Sequence, residues 1–276
     1  LDNKESKARN PNRLIVGLIL AVVALCLAVY FYLCIPSPGD SGSRTKEKEV
    51  MALRNSAAAK INEKSFDEAI ARLTRALALK PMDKLVLMDR AAAFYRKGDY
   101  QAALNDYQAV LSQKESADST DEDALFGQAL AQSALDRNAQ AIASLHTLQQ
   151  KNKHFIRAYQ LLGDIYLKTK DSEAALDAYT QGLRLNPKSS VLHYDRAVAY
   201  LRREMNEQAF DDMSMAVELD RKSLPLRLRH ANLAQKLGKT DIADSDAQEI
   251  LRLEPDNRSA LAWLKKRKIA PTTQTK

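Results

Sequence analysis

The sequence predicts an all-α chain: six helix hairpins stacked as a solenoid, closed by a C-terminal capping helix and preceded by one transmembrane helix. Three observations predict it. Alanine recurs at residues 69, 103, 141, 175, 209 and 243, at steps of 34 residues with one step of 38. The side chains around that alanine repeat in size, column by column. Upstream, Leu14 to Ile35 runs 22 residues without a charge.

Residues 1–13 form a basic N-terminal segment carrying Lys4, Lys7, Arg9 and Arg13. At about 1.5 Å rise per residue, the apolar run 14–35 spans roughly 33 Å, enough to cross a bilayer core of about 30 Å. Tyr30, Phe31 and Tyr32 stand near one end, where aromatic rings favour the interface, and Pro36 and Pro38 end the helix. The competing reading, a cleaved secretory signal, has a shorter apolar stretch of about 7 to 15 residues. Arg13 abuts the run and Arg44 lies nine residues beyond it, which places the N-terminus in the cytoplasm and the repeats in periplasm, lumen or exterior. Residues 36–49 read as a linker whose Pro-, Gly- and Ser-rich part, 36–43, is flexible.

The repeat array covers 50–256, in units of about 50–83, 84–121, 122–155, 156–189, 190–223 and 224–257. The eighth position of each unit is small (Ala57, Ala91, Ala129, Gly163, Ala197, Ala231), as close approach of two helices requires. The alanine column is the twentieth position. Four residues on, one turn along the same face, stand Leu73, Tyr107, Leu145, Tyr179 and Met213. Pro81, Pro187 and Pro255 end three second helices. Ser65 with Glu68 predicts a capping box, and Asp99 and Asp171 predict equivalent caps. The third unit is the least regular, with Gln128, Gln132 and Lys153 at the seventh, eleventh and thirty-second positions. The four extra residues before it fall in Glu115 to Asp123, expected as an acidic surface loop. Residues 258–276 hold the capping helix and a basic tail, with Leu261, Trp263 and Leu264 set to cover unit six.

Cys26 and Cys34 both lie in the apolar run, so the array has neither a disulfide framework nor a thiolate metal site. The formal charge of +7 belongs to the ends, because 50–256 holds 29 basic and 30 acidic residues; this argues against nucleic acid as partner. His146, His154, His193 and His230 show no metal-ligand spacing, and no phosphate loop occurs among the eight glycines. The expectation is a chain with no catalytic residues, no cofactor and no metal.

The pattern of small, aromatic, alanine and proline positions at a 34-residue period resembles the tetratricopeptide repeat family over residues 50–256, most closely through Tyr159, Leu162, Gly163, Tyr166, Ala175, Tyr179 and Pro187. The resemblance implies a right-handed superhelix whose first helices line a concave groove that holds a partner protein or peptide. The family's groove-facing positions put Arg54, Met88, Tyr95, Arg96, Phe126, Arg157, Lys168, Tyr194, Arg202 and Lys236 there. Four of the six thirteenth positions are basic, and Tyr95, Phe126 and Tyr194 supply an apolar floor, which suits an acidic partner with apolar anchors. The pattern by which related co-chaperones grip an acidic chaperone terminus is not kept: Arg54 with Ala58, Asp89, and Asp123 with Gly127 stand at its places. The implied function is a membrane-anchored scaffold for assembly or recruitment of a membrane or envelope complex. The alternative is an import or targeting receptor whose repeats face the cytosol and capture client chains.

Overall fold

The structure, a computed structural model, describes residues 38–113 and 119–269. Thirteen α-helices account for nearly all of these residues: α1 (Pro38–Asn62), α2 (Phe66–Leu79), α3 (Lys84–Lys97), α4 (Tyr100–Leu111), α5 (Ser119–Ala134), α6 (Asn138–Lys151), α7 (Ile156–Lys168), α8 (Ser172–Leu185), α9 (Ser190–Arg202), α10 (Asn206–Leu219), α11 (Leu224–Lys236), α12 (Thr240–Leu253) and α13 (Arg258–Arg267). They pair as six hairpins, α1/α2 to α11/α12, and α13 packs on α12. The apolar run 14–35 lies outside the described residues. No described helix is long and apolar enough to cross a membrane.

The size columns set the packing. All six alanines of the twentieth column have no exposed surface, and Leu73, Leu145 and Tyr179, four residues on, are equally enclosed. Gly163 sits under the Tyr179 ring so closely that a Cβ would fall inside it; Gly127 stands in the same relation to Tyr107. Each hairpin buries one face against its neighbour, so the core runs as a chain of linked apolar clusters from Val50 to Leu264.

Every hairpin turn uses a left-handed residue at the fifteenth position. Gly98 and Gly238 supply it at little cost, whereas Lys64, Asp136, Lys170 and Glu204 adopt φ between 59° and 64° with a side chain in place. Asp99 and Asp171 accept from the amides of Ala102 and Ala174, as the sequence predicts. Ser65 makes no side-chain cap. Its intended partner Glu68 lies 3.4 Å from both Lys60 and Arg72, and those cations replace the capping box.

Two readings by composition change. Residues 38–49, expected as linker, are the first turns of α1. The run Thr45 to Val50 propagates readily from an already nucleated helix. Within the stretch 115–123, Ser119 opens α5, and Asp121 is buried between Lys84 at 3.4 Å and Lys151 at 3.8 Å. The irregular third unit settles its polar residue internally: Ser144 Oγ donates to Gln132 Oε1 at 2.9 Å.

Candidate functional site: the concave groove

The first helices α1, α3, α5, α7, α9 and α11 follow one another along one side of the array, and two contacts repeat between neighbours at a separation of 35 residues. In the first, the fifth position of one unit meets the sixth of the next. Arg54 Nε lies 2.7 Å from Asp89 Oδ2, Gln160 Nε2 donates to Asp195 Oδ2 at 3.0 Å, and the Arg229 guanidinium lies 5.3 Å from the centre of the Tyr194 ring. In the second, the thirteenth position reaches back to a carbonyl ending the preceding first helix. Lys168 Nζ donates to the Ser133 carbonyl and Arg202 to that of Leu167, each at 2.8 Å. Cations at a helix C-terminus satisfy orphan carbonyls and the negative end of the dipole.

This geometry divides the residues expected to meet a partner. Lys168, which also pairs with Asp136 at 2.6 Å, and Arg202 stitch neighbouring units together. Arg54 is held by Asp89. Arg96 and Lys236 are exposed and, among the described residues, make no ion pair or hydrogen bond. Tyr95 is half-buried with its ring 5.2 Å from that of Tyr100, and Met88 is half-buried against the α3/α4 core. Phe126, expected on the floor, is only 7% exposed: Phe155 lies 5.4 Å away on one side and the exposed Arg157 guanidinium covers it at 4.2 Å. What reaches solvent at that point is Arg157.

The groove changes sign along its length. At α7 and α9, Asp164 and Asp195 stand near each other; Asp164 accepts from the Tyr179 hydroxyl at 2.7 Å. Loss of hydration raises Asp164 from its ordinary value, against the Tyr179 hydrogen bond, and the same loss together with Asp164 pushes Asp195 up to about 6. Between α9 and α11 the lining becomes apolar and basic. An open cavity of about 500 Å³ is walled by Tyr194, Val198, Leu201, Arg229, Asn232 and Lys236, with no carboxylate among its lining residues.

A buried polar network, missed in the sequence, holds these helices in register. Arg90 bonds Asp106 through two nitrogens at 2.7 Å and Thr74 of the preceding unit at 3.2 Å. Arg196 repeats this with Asp212 and Thr180, at 2.6, 2.8 and 3.2 Å. In the sixth unit the cation position is His230, between Asp246 Oδ2 at 2.6 Å and Ser214 Oγ at 2.9 Å. His193 adds a second contact to Asp212 at 2.9 Å, and Arg227 one to Asp246 at 3.1 Å. The signal was available, since Arg90, Arg196 and His230 each lie 16 residues before the aspartate and 16 after the hydroxyl. Two of the four histidines are thereby packing residues. Among the described residues no group of three or more His, Cys, Asp or Glu could hold a metal ion.

Three segments, residues 58–120, 123–153 and 156–189, match models described as tetratricopeptide repeat. Over 95 residues the chain is 35% identical to serine/threonine-protein phosphatase 5 of Rattus norvegicus, which covers 34% of this chain and 19% of the phosphatase. The chain thus spans about a fifth of that relative's length. Among solved structures it is similar to pilF of Pseudomonas aeruginosa, with a TM-score of 0.61 at 16% identity over 80% of this chain and 99% of that one. MamA of Desulfovibrio magneticus RS-1 gives a TM-score of 0.55 at 21% identity over 63% and 96%. At these identities the structural likeness concerns the fold alone.

Proposed function

We propose, from the premise that this chain contains tetratricopeptide repeats, that it is a non-enzymatic adaptor that holds a partner protein or peptide in its concave groove and is anchored to a membrane through Leu14 to Ile35. The observation that carries the reading is the α9/α11 cavity. An aromatic and aliphatic floor gives a partner side chain buried contact area, while Arg229 and Lys236 at its edge give orientation and faster encounter with an acidic segment. Recruitment or assembly of a membrane or envelope complex suits an array whose first helix begins three residues after the apolar run.

The test is capture from native membranes by the wild-type chain and by the variant Arg96→Glu, Arg229→Glu, Lys236→Glu. These residues are exposed and take no part in the Lys168 and Arg202 stitching, so loss of capture with unchanged thermal unfolding supports the groove reading. Unchanged capture removes it. Protease added outside intact vesicles decides the topology: digestion of the repeats agrees with the assembly scaffold, and protection agrees with a receptor facing the cytosol.

A further inference from the structure

The capping helix begins at Arg258, 34 residues after α11 begins at Leu224, so it stands where the first helix of a seventh unit would stand. Trp263 occupies the sixth position, the one held by Asp89, Asp195 and Arg229, and its indole nitrogen donates to Asp244 at 2.8 Å, fixing the ring. The eighth position is the exposed Lys265, where all six units have a small residue, so this helix departs there from the close helix–helix approach of the units before it. Its groove-facing side is nonetheless open. A second cavity of about 250 Å³ lies between α11 and α13, walled by Leu228, Ala231, Gln235, Trp263 and Lys266.

This cavity adjoins the one between α9 and α11, because Asn232 lines both. Neither has a carboxylate in its wall, whereas an opening near the other end of the array, beside α1, is mixed in charge, with Glu47 and Asp83 among Arg44, Lys48, Arg54 and Lys80. Arg229, Lys236 and Lys266 make no ion pair among the described residues. We propose that α13 is a groove wall as well as a cap, and that α9, α11 and α13 form a two-pocket site for an acidic peptide segment bearing two apolar side chains. The larger pocket takes an aromatic side chain and the smaller an aliphatic one. Asn232, with donor and acceptor both available at the boundary, binds the peptide backbone between them. Charge complementarity names the occupant: three unpaired cations and no carboxylate select acidic residues beside the anchors. The proposal rests on the groove reading above.

The test uses a random dodecapeptide phage library selected against the full chain in mild detergent, followed by synthesis of enriched peptides. Expected are sequences with two apolar residues flanked by Asp or Glu. Their affinity should fall about tenfold or more in Lys266→Glu and in Arg229→Glu, persist in Lys266→Arg, and be unmoved by Met215→Glu on α10. Unchanged thermal unfolding shows that the variants fold. Peptides that are lost on Arg96→Glu or Tyr95→Ala but indifferent to Lys266→Glu overturn this inference and leave the groove reading standing. No enrichment, or indifference to every groove substitution, overturns both. Self-association abolished by Lys266→Glu, or crosslinking of residues 1–37 to position 232, assigns the pockets to the chain itself and also overturns the proposal.

Discussion

Arg229 lies over Tyr194, its guanidinium carbon 5.3 Å from the ring centre and 35 residues along the chain, in the register by which Asp89 meets Arg54 and Asp195 meets Gln160. One backbone relationship thus carries three chemistries: an ion pair, an amide–acid bond and a cation–π contact. Only the last leaves a positive charge exposed, and the proposed preference of the C-terminal part of the groove for an acidic segment rests on that charge.

Position 163 has no room for a side chain beyond hydrogen unless the Tyr179 ring shifts. Gly163→Ala places a methyl group inside the Tyr179 ring, whose hydroxyl is tied to Asp164, so the ring cannot withdraw without losing that bond. A loss of about 1 to 3 kcal/mol in urea unfolding is expected. Wild-type stability would show that the ring yields freely.

Asp212 neutralises Arg196 and contacts His193 in a buried setting. Asp212→Ala leaves a cation without its counter-charge and should cost about 3 to 5 kcal/mol by denaturation. A cost below about 1 kcal/mol, the range of exposed pairs, would contradict the assignment of this network to register.

The fifteenth position favours glycine. Glu204 and Lys170 hold φ of 59° and 64°, and Glu204→Gly should relieve about 1 kcal/mol of left-handed strain, read as a raised midpoint in urea. Gly98→Ala, at φ 92°, should shift the midpoint the other way.

Asp195 is pushed up to about 6 from 3.8, so at intermediate pH the folded chain keeps a proton that the unfolded chain has released. The associated stability is complete below the unfolded value and lost as the pH rises through the folded one. Asp195→Asn should therefore be more stable than wild type at about pH 7 and show a flatter profile between about pH 4 and pH 7. A profile that keeps its slope would place the titration elsewhere.

The hairpin stacking was legible because it rests on side-chain size at a fixed period: Ala69 to Ala243 read as a packing column, and all six are enclosed. The groove was legible only in outline. Nothing in the sequence marks Lys168 and Arg202 as stitching residues, because their acceptors are backbone carbonyls. Phe126 has the residue type of a floor position, yet Phe155 and Arg157 close over it, and that enclosure depends on how a neighbouring unit packs. Arg229 is not marked by the sequence for a related reason: it occupies a sixth position, whereas the family's groove-facing positions are the second, fifth, ninth, twelfth and thirteenth. The Arg90, Arg196 and His230 network could have been found by comparing polar residues 16 apart, a spacing that links the two helices of one hairpin and the hairpin before it.

The measurement that tests the central claim most directly is site-specific photocrosslinking in native membranes, with the photoreactive residue at Tyr194 in the groove and, as control, at Met215, which is exposed on α10. Tyr194 suits the probe better than Phe126, whose replacement would disturb the core. The account predicts a discrete adduct from position 194, absent from 215 and lost when Arg229→Glu and Lys236→Glu are combined. Adducts that form equally from 215, or that survive the charge reversal, would contradict it.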